Sequence, residues 1–249
     1  MKSSTRTLTK VFGAALTWRG WLSLPVAQIL VWAGLATAKR RAHPHKRWRE
    51  ILGVSGLQTA LMFGSEWLHN LAHAAAAGWV GKPADEVRIM LGIPRLIYND
   101  INDAAVTPQQ HLVRAVGGPV LNGVLTGGLW LVRKQTARQP QSTAHALIDS
   151  TFKTNLFLAS AAWLPVPGLD GGAALKWLLV ARGHSLPQAD TVVQRVNLFA
   201  APLTAIAGGR LLQTRRTLPG VFALCMGAAM FAVGMGWLSE QSVIEKIDR

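Results

Sequence analysis

Two histidines stand four residues apart in an apolar stretch, at His69 and His73. On an α-helix, residues at this spacing project from the same face one turn apart, so both imidazoles can reach one metal ion. In a soluble protein such a pair is more often a polar interface feature. Inside an apolar span a functional role is favoured over an interface role, because ionisable side chains at membrane depth are costly and usually mark a functional site. The spacing therefore predicts two ligands of a metal site.

A carboxylate that can act as a third ligand lies at a break in a later apolar stretch. The segment from Trp163 to Gly172 contains two prolines and three glycines. These residues prevent a continuous helix and leave backbone groups that protein or water must satisfy. Asp170 lies at this break. Together with the two histidines it would complete a two-histidine, one-carboxylate zinc site that keeps a position for water.

A third element lies between these two, in the segment from Gly117 to Gly123. Its glycines permit close approach of neighbouring helices, and Asn122 can form a hydrogen bond across a helix interface. By itself this element indicates helix packing.

The three elements, in this order and spacing, resemble the site-2 protease family of intramembrane zinc metalloproteases. That family has His-Glu-x-x-His on one membrane helix, Gly-Pro-x-x-Asn on the next, and a later Asn-x-x-Pro-x-x-x-Leu-Asp-Gly segment. The similarity covers roughly Ser65 to Leu178. It implies zinc bound below the membrane surface and hydrolysis of a peptide bond in a membrane-spanning substrate. The implied ligands are His69, His73 and Asp170, with Gly118, Pro119, Asn122, Pro165 and Gly171 in supporting positions.

Two positions depart from the family pattern, and both concern catalysis. The family glutamate that takes a proton from water is replaced by Asn70, which cannot act as a base. Loss of a general base costs about two to four powers of ten in rate. Ala162 stands where the later motif has asparagine, and loss of one such donor costs about a hundredfold to a thousandfold. Asn155 is too far upstream to be that asparagine.

Three explanations of these departures remain open. The chain can be an inactive relative that binds a membrane helix or a small solute without cleaving it. It can be an active hydrolase with a relocated base, for which Glu66 is the candidate, because residues three and seven apart share one helical stripe with it. The position of Glu66, one turn from that of the family base, favours instead a hydrogen-bond partner of the ligands or of a neighbouring helix. An engineered Asn70 would not account for Ala162.

The elements that must position these residues are predicted from the distribution of charge. Half of the 249 residues are hydrophobic and only 15% are charged, and no charge occurs from Gly20 to Ala38 or from Leu218 to Ser239. A bilayer core requires about 20 apolar residues in a helix. Four further stretches are long enough: Ile51 to Val80, Leu112 to Val132, Leu156 to Val180 and Val196 to Leu212.

We therefore expect an all-α membrane protein of about six transmembrane segments, with a broken or re-entrant segment at Leu-Asp-Gly-Gly. The insertion from Gly81 to about Gln110 alternates apolar and polar residues, which predicts a short strand or hairpin. Residues Met1 to Lys10 are expected to be frayed. The predicted organisation is an N-terminal helix and basic loop over 1–50, a metal-binding core over 51–182, and C-terminal helices over 183–249.

The net charge of +14 favours a membrane surface over nucleic acid, because the basic residues cluster between apolar spans and no groove-reading motif accompanies them. The expected partners are membrane lipid and a transmembrane peptide or protein substrate, in a bacterial or archaeal cell membrane. The positive-inside rule places the loop from Lys39 to Glu50 in the cytoplasm and the insertion after Val80 on the other side. The family resemblance would instead place that insertion on the cytoplasmic side.

Overall fold

The structure is a computed structural model that describes residues 5–238. Residues 1–4 and 239–249, at the outer ends of the first and last predicted segments, lie outside the described residues. The elements in chain order are β1 (Thr5–Val11), β2 (Ala14–Arg19), a 3-10 turn (Gly20–Ser23), α1 (Val26–Ala42), α2 (Trp48–Trp79), β3 (Glu86–Met90), β4 (Ile93–Ile97), α3 (Pro108–Thr136), α4 (Thr143–Ala161), α5 (Asp170–Ala181), α6 (Leu186–Gln213) and α7 (Thr217–Gly234).

The fold is mostly helical, with one small four-stranded sheet in the order β1-β2-β3-β4. The sheet consists of two antiparallel hairpins joined by parallel pairing of β2 with β3. Each hairpin turns through two residues with positive φ, Phe12-Gly13 and Leu91-Gly92. Two-residue turns of this kind match the twist of the paired strands. The hairpin predicted after Val80 is therefore present.

The expectation of a frayed end is wrong for residues 5–10, because Thr5–Val11 and Ala14–Arg19 form strands that the sequence did not predict. Strand β2 is held by β3, from far along the chain, and by the apolar cluster in which Ala14 packs with Ala74 and Val87. The first helix accordingly begins at Val26 and ends at Ala42, later than the charge-free stretch suggested.

The chain divides into two compact units, residues 5–105 with 117–161 and residues 106–116 with 162–238. In the first unit α2 packs against α1, α4 and β4. Helix α1 leads from the sheet to the basic connection at 43–47, and α2 leads back to the sheet. The sheet and this basic connection therefore lie at opposite ends of the α1–α2 pair.

In the second unit α6 and α7 pack closely along small residues. A side-chain carbon on Gly208 would come within 2.9 Å of Leu224, and one on Gly234 within 2.8 Å of Leu198. An apolar cluster of Val166, Ala201, Met230 and Val233 forms the core of this unit. Glycine at these contacts allows the two helix backbones to approach each other.

Two of the described helices, α3 and α7, are long and apolar enough to cross a membrane by length and composition. The other predicted spans coincide with helices α1, α2 and α6 and with the broken α4–α5 region. The count of about six transmembrane segments remains a prediction.

Candidate metal centre

Helix α2 places His69 and His73 on one face, as their spacing predicts. Both side chains are buried, and their Nε2 atoms lie 3.2 Å apart. Zinc ligands about 2.0–2.1 Å from a tetrahedral ion are about 3.3 Å from one another, so the separation suits two ligands of one ion. The pair therefore has the chemistry and geometry of half a zinc site.

A chain of buried amides connects His69 to two further helices. The Nδ1 atom of His69 contacts Oδ1 of Asn122 on α3, and Nδ2 of Asn122 donates to Oδ1 of Asn155 on α4 at 2.8 Å. Nδ2 of Asn155 in turn donates to Oγ of Ser65 and to the carbonyl oxygen of Thr151, each at 2.9 Å. Three helices of the first unit thus meet in one hydrogen-bonded network.

This network defines the tautomer of His69. A backbone carbonyl such as that of Thr151 only accepts, so the Asn155 amide must present its NH₂ group there and its oxygen to Asn122. Asn122 then donates through Nδ2 and turns its own oxygen toward His69, whose Nδ1 must carry the proton. The lone pair of the neutral ring is therefore on Nε2, as a metal ligand requires.

Glycines of α3 make room for the two imidazoles. A side-chain carbon on Gly118 would approach within 2.7 Å of Nε2 of His69 and closer still to Nε2 of His73. One on Gly117 would meet the carbonyl oxygen of Ala72 at 2.7 Å. Pro119 follows, fully buried within the helix. The Gly-Gly-Pro element is thus required for α3 to pass directly over the histidine pair.

Asn70 occupies the buried position after His69, and its side chain contacts Glu66. Its amide nitrogen donates to the backbone carbonyl of Glu66 at 2.9 Å and to Oε1 of the Glu66 carboxylate at 3.3 Å. Glu66 itself is half-buried one turn earlier on α2. The carboxylate at 66 is therefore held by the amide that replaces the expected glutamate.

In the second unit the predicted break is present, because helix α4 ends at Ala161 and α5 begins at Asp170. The backbone between them folds over the start of α5, where Gly171 donates from its N–H to the carbonyl oxygen of Ala162 at 2.6 Å. A side-chain carbon on Gly171 would lie 2.6 Å from the carbonyl oxygen of Leu164, and one on Gly172 would be 2.7 Å from the backbone of Val166. Both glycines are required by this close approach.

Asp170 is half-buried and is the first residue of α5. The N-terminus of a helix favours a negative charge, which stabilises the carboxylate form needed of a metal ligand. Asn197 on α6 is fully buried and donates through Nδ2 to the carbonyl oxygen of Pro165 and to that of Val193. The broken segment is therefore tied to a neighbouring helix.

The predicted site residues fall into two groups. In the first unit the structure brings together His69, His73, Gly118 and Asn122, with Pro119 beside them and Asn70 bonded to Glu66. In the second unit Pro165 lies in the broken segment, Asp170 begins α5 and Gly171 packs against the backbone of Leu164, and Ala162 contributes a backbone carbonyl but no polar side chain. Three polar residues were missed: Ser65, Asn155 and Asn197. Their signal was a polar side chain in an otherwise apolar helix, which must find a partner when buried.

The fold is similar to that of the site-2 protease from Methanocaldococcus jannaschii, with a TM-score of 0.52 and 13% sequence identity. The similarity covers 93% of this chain and 95% of that chain. No protein-family model and no curated protein sequence matches this chain. At this identity the comparison establishes a likeness of fold.

Proposed function

We propose that this chain is a membrane-embedded zinc protein of the site-2 protease type that hydrolyses a peptide bond in a membrane-spanning substrate, with zinc held by His69, His73 and Asp170. The observation that carries the proposal is the buried histidine pair, whose Nε2 atoms lie 3.2 Å apart and whose first ring is oriented by Asn122. A membrane location is supported by the likeness of fold and by two helices that are long and apolar enough to span a bilayer. We expect a multi-pass protein of a bacterial or archaeal cell membrane.

The donor set fits zinc. Two neutral imidazoles and one carboxylate are a common set for catalytic zinc, and Gly118 leaves the space beside the imidazole nitrogens that an added carbon would fill. When bound, zinc would polarise a carbonyl oxygen and lower the pKa of a water molecule. The protein residues orient the ligands. Asn155 fixes the orientation of Asn122, and Oδ1 of Asn122 accepts a hydrogen bond from the Nδ1–H group of His69.

The proton acceptor proposed for hydrolysis is Glu66. Its carboxylate shares the helical stripe of the histidines and is steadied by the amide of Asn70 at 3.3 Å. In this role Glu66 takes a proton from water at its carboxylate, and Asn70 positions it. The expected substrate is a transmembrane helix, whose peptide bonds become accessible only where the helix is locally unwound.

A second candidate function is that of a non-enzymatic module that binds a membrane helix or small solute. The observation that favours it is that Asn70 supplies no base and the side chain of Ala162 supplies no oxyanion donor. Both candidates share the metal site, so metal content and cleavage must be measured separately.

Metal binding is tested by measuring zinc per chain in the purified full-length protein. We expect one zinc ion, lost in His69→Ala and Asp170→Ala and retained in the controls His145→Ala and Asp100→Ala, which change the same residue types outside the site. An unmutated protein without zinc would overturn the metal proposal. Full retention in Asp170→Ala alone would remove Asp170 from the ligand set.

Cleavage is tested with a transmembrane-helix reporter reconstituted with the full-length protein. We expect Glu66→Gln to lower the rate by about two to four powers of ten, the usual contribution of a general base. Zinc content should not change, which separates proton transfer from metal binding. If the unmutated protein is inactive and Asn70→Glu cleaves the reporter, the non-enzymatic function is the correct one.

A further inference from the structure

A second site lies away from the histidines, at the opposite end of the first unit from the sheet. It is a cavity of about 530 Å³ where the connection between α1 and α2 meets the connection between α3 and α4. Its polar lining consists mainly of Lys39, His43, Lys46 and Glu50 from one connection and Ser142 and Thr143 from the other. The walls therefore come from segments about 100 residues apart in sequence, and only the tertiary fold creates them.

The charges of the cavity do not balance. The ammonium of Lys46 pairs with the carboxylate of Glu50 at 2.6 Å. Lys39 forms no ion pair within the part of the chain that the structure describes, and its pKa is lowered by burial and, to a smaller extent, by the positive charge of Lys46. Both lysines line the cavity, and an anion bound there would reduce the repulsion between their positive charges.

The opposite wall adds a second feature that favours an anion. Helix α4, of 19 residues, begins at Thr143 on the cavity wall. Ser142 caps this helix, accepting through Oγ from the N–H of His145 at 3.1 Å. Backbone N–H groups in the first turn of a helix, together with the helix dipole, attract phosphate and similar anions. The cavity thus combines two lysines with a helix N-terminus.

Basic side chains lie over tryptophan rings next to the cavity. The guanidinium of Arg40 lies 5.3 Å from the ring of Trp48, and Nζ of Lys134 lies 3.5 Å from the ring of Trp130. These pairs stand at the ends of α1 and α3 and the start of α2, next to the two connections. Tryptophan beside basic residues at helix ends is typical of a membrane interface.

We propose that this cavity, which we name the basic cavity, binds a phosphate group, as carried by anionic phospholipid headgroups and by free phosphate. Lys39 and Lys46 contact the phosphate as point charges, and the first turn of α4 faces it with backbone N–H groups. The proposal goes beyond the metal site and does not depend on it. Binding there would hold the α1–α2 and α3–α4 connections together.

The test uses the full-length protein in mixed micelles that contain either phosphatidylglycerol or phosphatidylcholine. Bound lipid is counted by native mass spectrometry, and the thermal midpoint is followed in parallel. The test variant is Lys39→Gln with Lys46→Gln. Arg215→Gln with Arg216→Gln is the matched control, because it removes the same charge from exposed residues of the α6–α7 connection that do not line the basic cavity. Lys39→Arg with Lys46→Arg keeps the charge in place.

We expect phosphatidylglycerol to bind in preference to phosphatidylcholine, and binding to weaken about fivefold for each lysine replaced by glutamine. The control and the arginine pair should bind as the unmutated protein does. Displacement of the lipid by inorganic phosphate would identify free phosphate as a ligand, whereas lipid binding that resists it would identify the headgroup. Unchanged lipid binding in the glutamine pair, or an equal loss in the control, would overturn the proposal.

Discussion

At the scale of single residues, the proposed metal site depends on groups that would not themselves touch the metal. Gly118 and Asn155 decide where the two imidazoles can lie and which nitrogen carries the proton. Neither residue has the side-chain chemistry of a ligand. Their contribution is therefore visible only as an effect on His69 and His73.

Replacing Gly118 by alanine should disrupt the histidine pair, because the added carbon would lie within 2.7 Å of Nε2 of His69. We expect zinc affinity to fall about 10- to 100-fold and stability to fall by about 1–3 kcal/mol. Chelator competition and thermal unfolding measure the two effects. Gly123→Ala is the control on the same helix, because a carbon there meets nothing within 4 Å. Equal behaviour of the two variants would contradict the prediction.

Replacing Asn155 by alanine should release Asn122 and with it the proton position on His69. We expect zinc affinity to fall about 10- to 100-fold, the usual effect of losing a group that orients a ligand. Nitrogen NMR of the metal-free protein should show His69 as a mixture of tautomers instead of one. Thr154→Ala, on the preceding residue, should change neither quantity. A destabilised protein with an unaltered tautomer would assign Asn155 a packing role only.

At the scale of elements, the carboxylate of Glu86 on β3 adds a side-chain link between the two hairpins of the sheet. The Arg88 guanidinium, hydrogen-bonded to Glu86 at 2.9 and 3.0 Å, holds the pKa of that carboxyl below its usual 4.5. Burial opposes this shift, and a hydrogen bond from Thr17 on β2 adds to it. The interaction thus joins β3 to the neighbouring hairpin.

A pKa that is lower in the folded state stabilises the fold when the group is ionised. The contribution of Glu86 should therefore be complete above about pH 4.5, the ordinary value, and disappear as the pH falls through the lowered folded-state pKa. We expect Glu86→Gln to lower the thermal midpoint at neutral pH and to converge with the unmutated protein in acid. In an Arg88→Gln background the same change should have much less effect. If the thermal midpoints of the two proteins differed by the same amount at every pH, ionisation of Glu86 would contribute nothing to stability.

At the scale of the molecule, the positions of the sheet and of the basic connection in the first unit predict how the chain is oriented in a membrane. The sheet joins the segment before α1 to the insertion after α2, so both lie at one end of these helices, and the basic connection lies at the other. The positive-inside rule then predicts cytoplasmic basic connections and a sheet on the opposite side. This arrangement differs from the one implied by the family resemblance.

Thiol labelling of single cysteines tests this orientation in intact cells. In a Cys225→Ser background, Arg41→Cys and Arg138→Cys should be protected from a membrane-impermeant reagent, and Arg95→Cys on β4 should react. Permeabilised cells, in which all three positions should react, are the control. Reaction of both Arg41→Cys and Arg95→Cys from outside would mean that α2 does not cross the membrane.

The sequence by itself determined the local features of this protein. Helical spacing put His69 and His73 on one face, and prolines and glycines before Asp170 stopped a helix there, because both effects act within a few residues. The alternation after Val80 likewise predicted a hairpin. The β1–β2 hairpin was not predicted, since Phe12-Gly13 is a weaker turn signal than Asn-Gly or Asp-Gly.

Only the tertiary structure decided the long-range features. Asn155 reaches Asn122 and Ser65, which are 33 and 90 residues away, and β2 pairs with a strand that begins at Glu86. No periodicity links such positions, because each partner is chosen by which buried polar groups and strand edges must be satisfied once the helices pack. The sequence therefore named the candidate ligands, and the fold supplied the amides that orient them and the glycine that makes room for them.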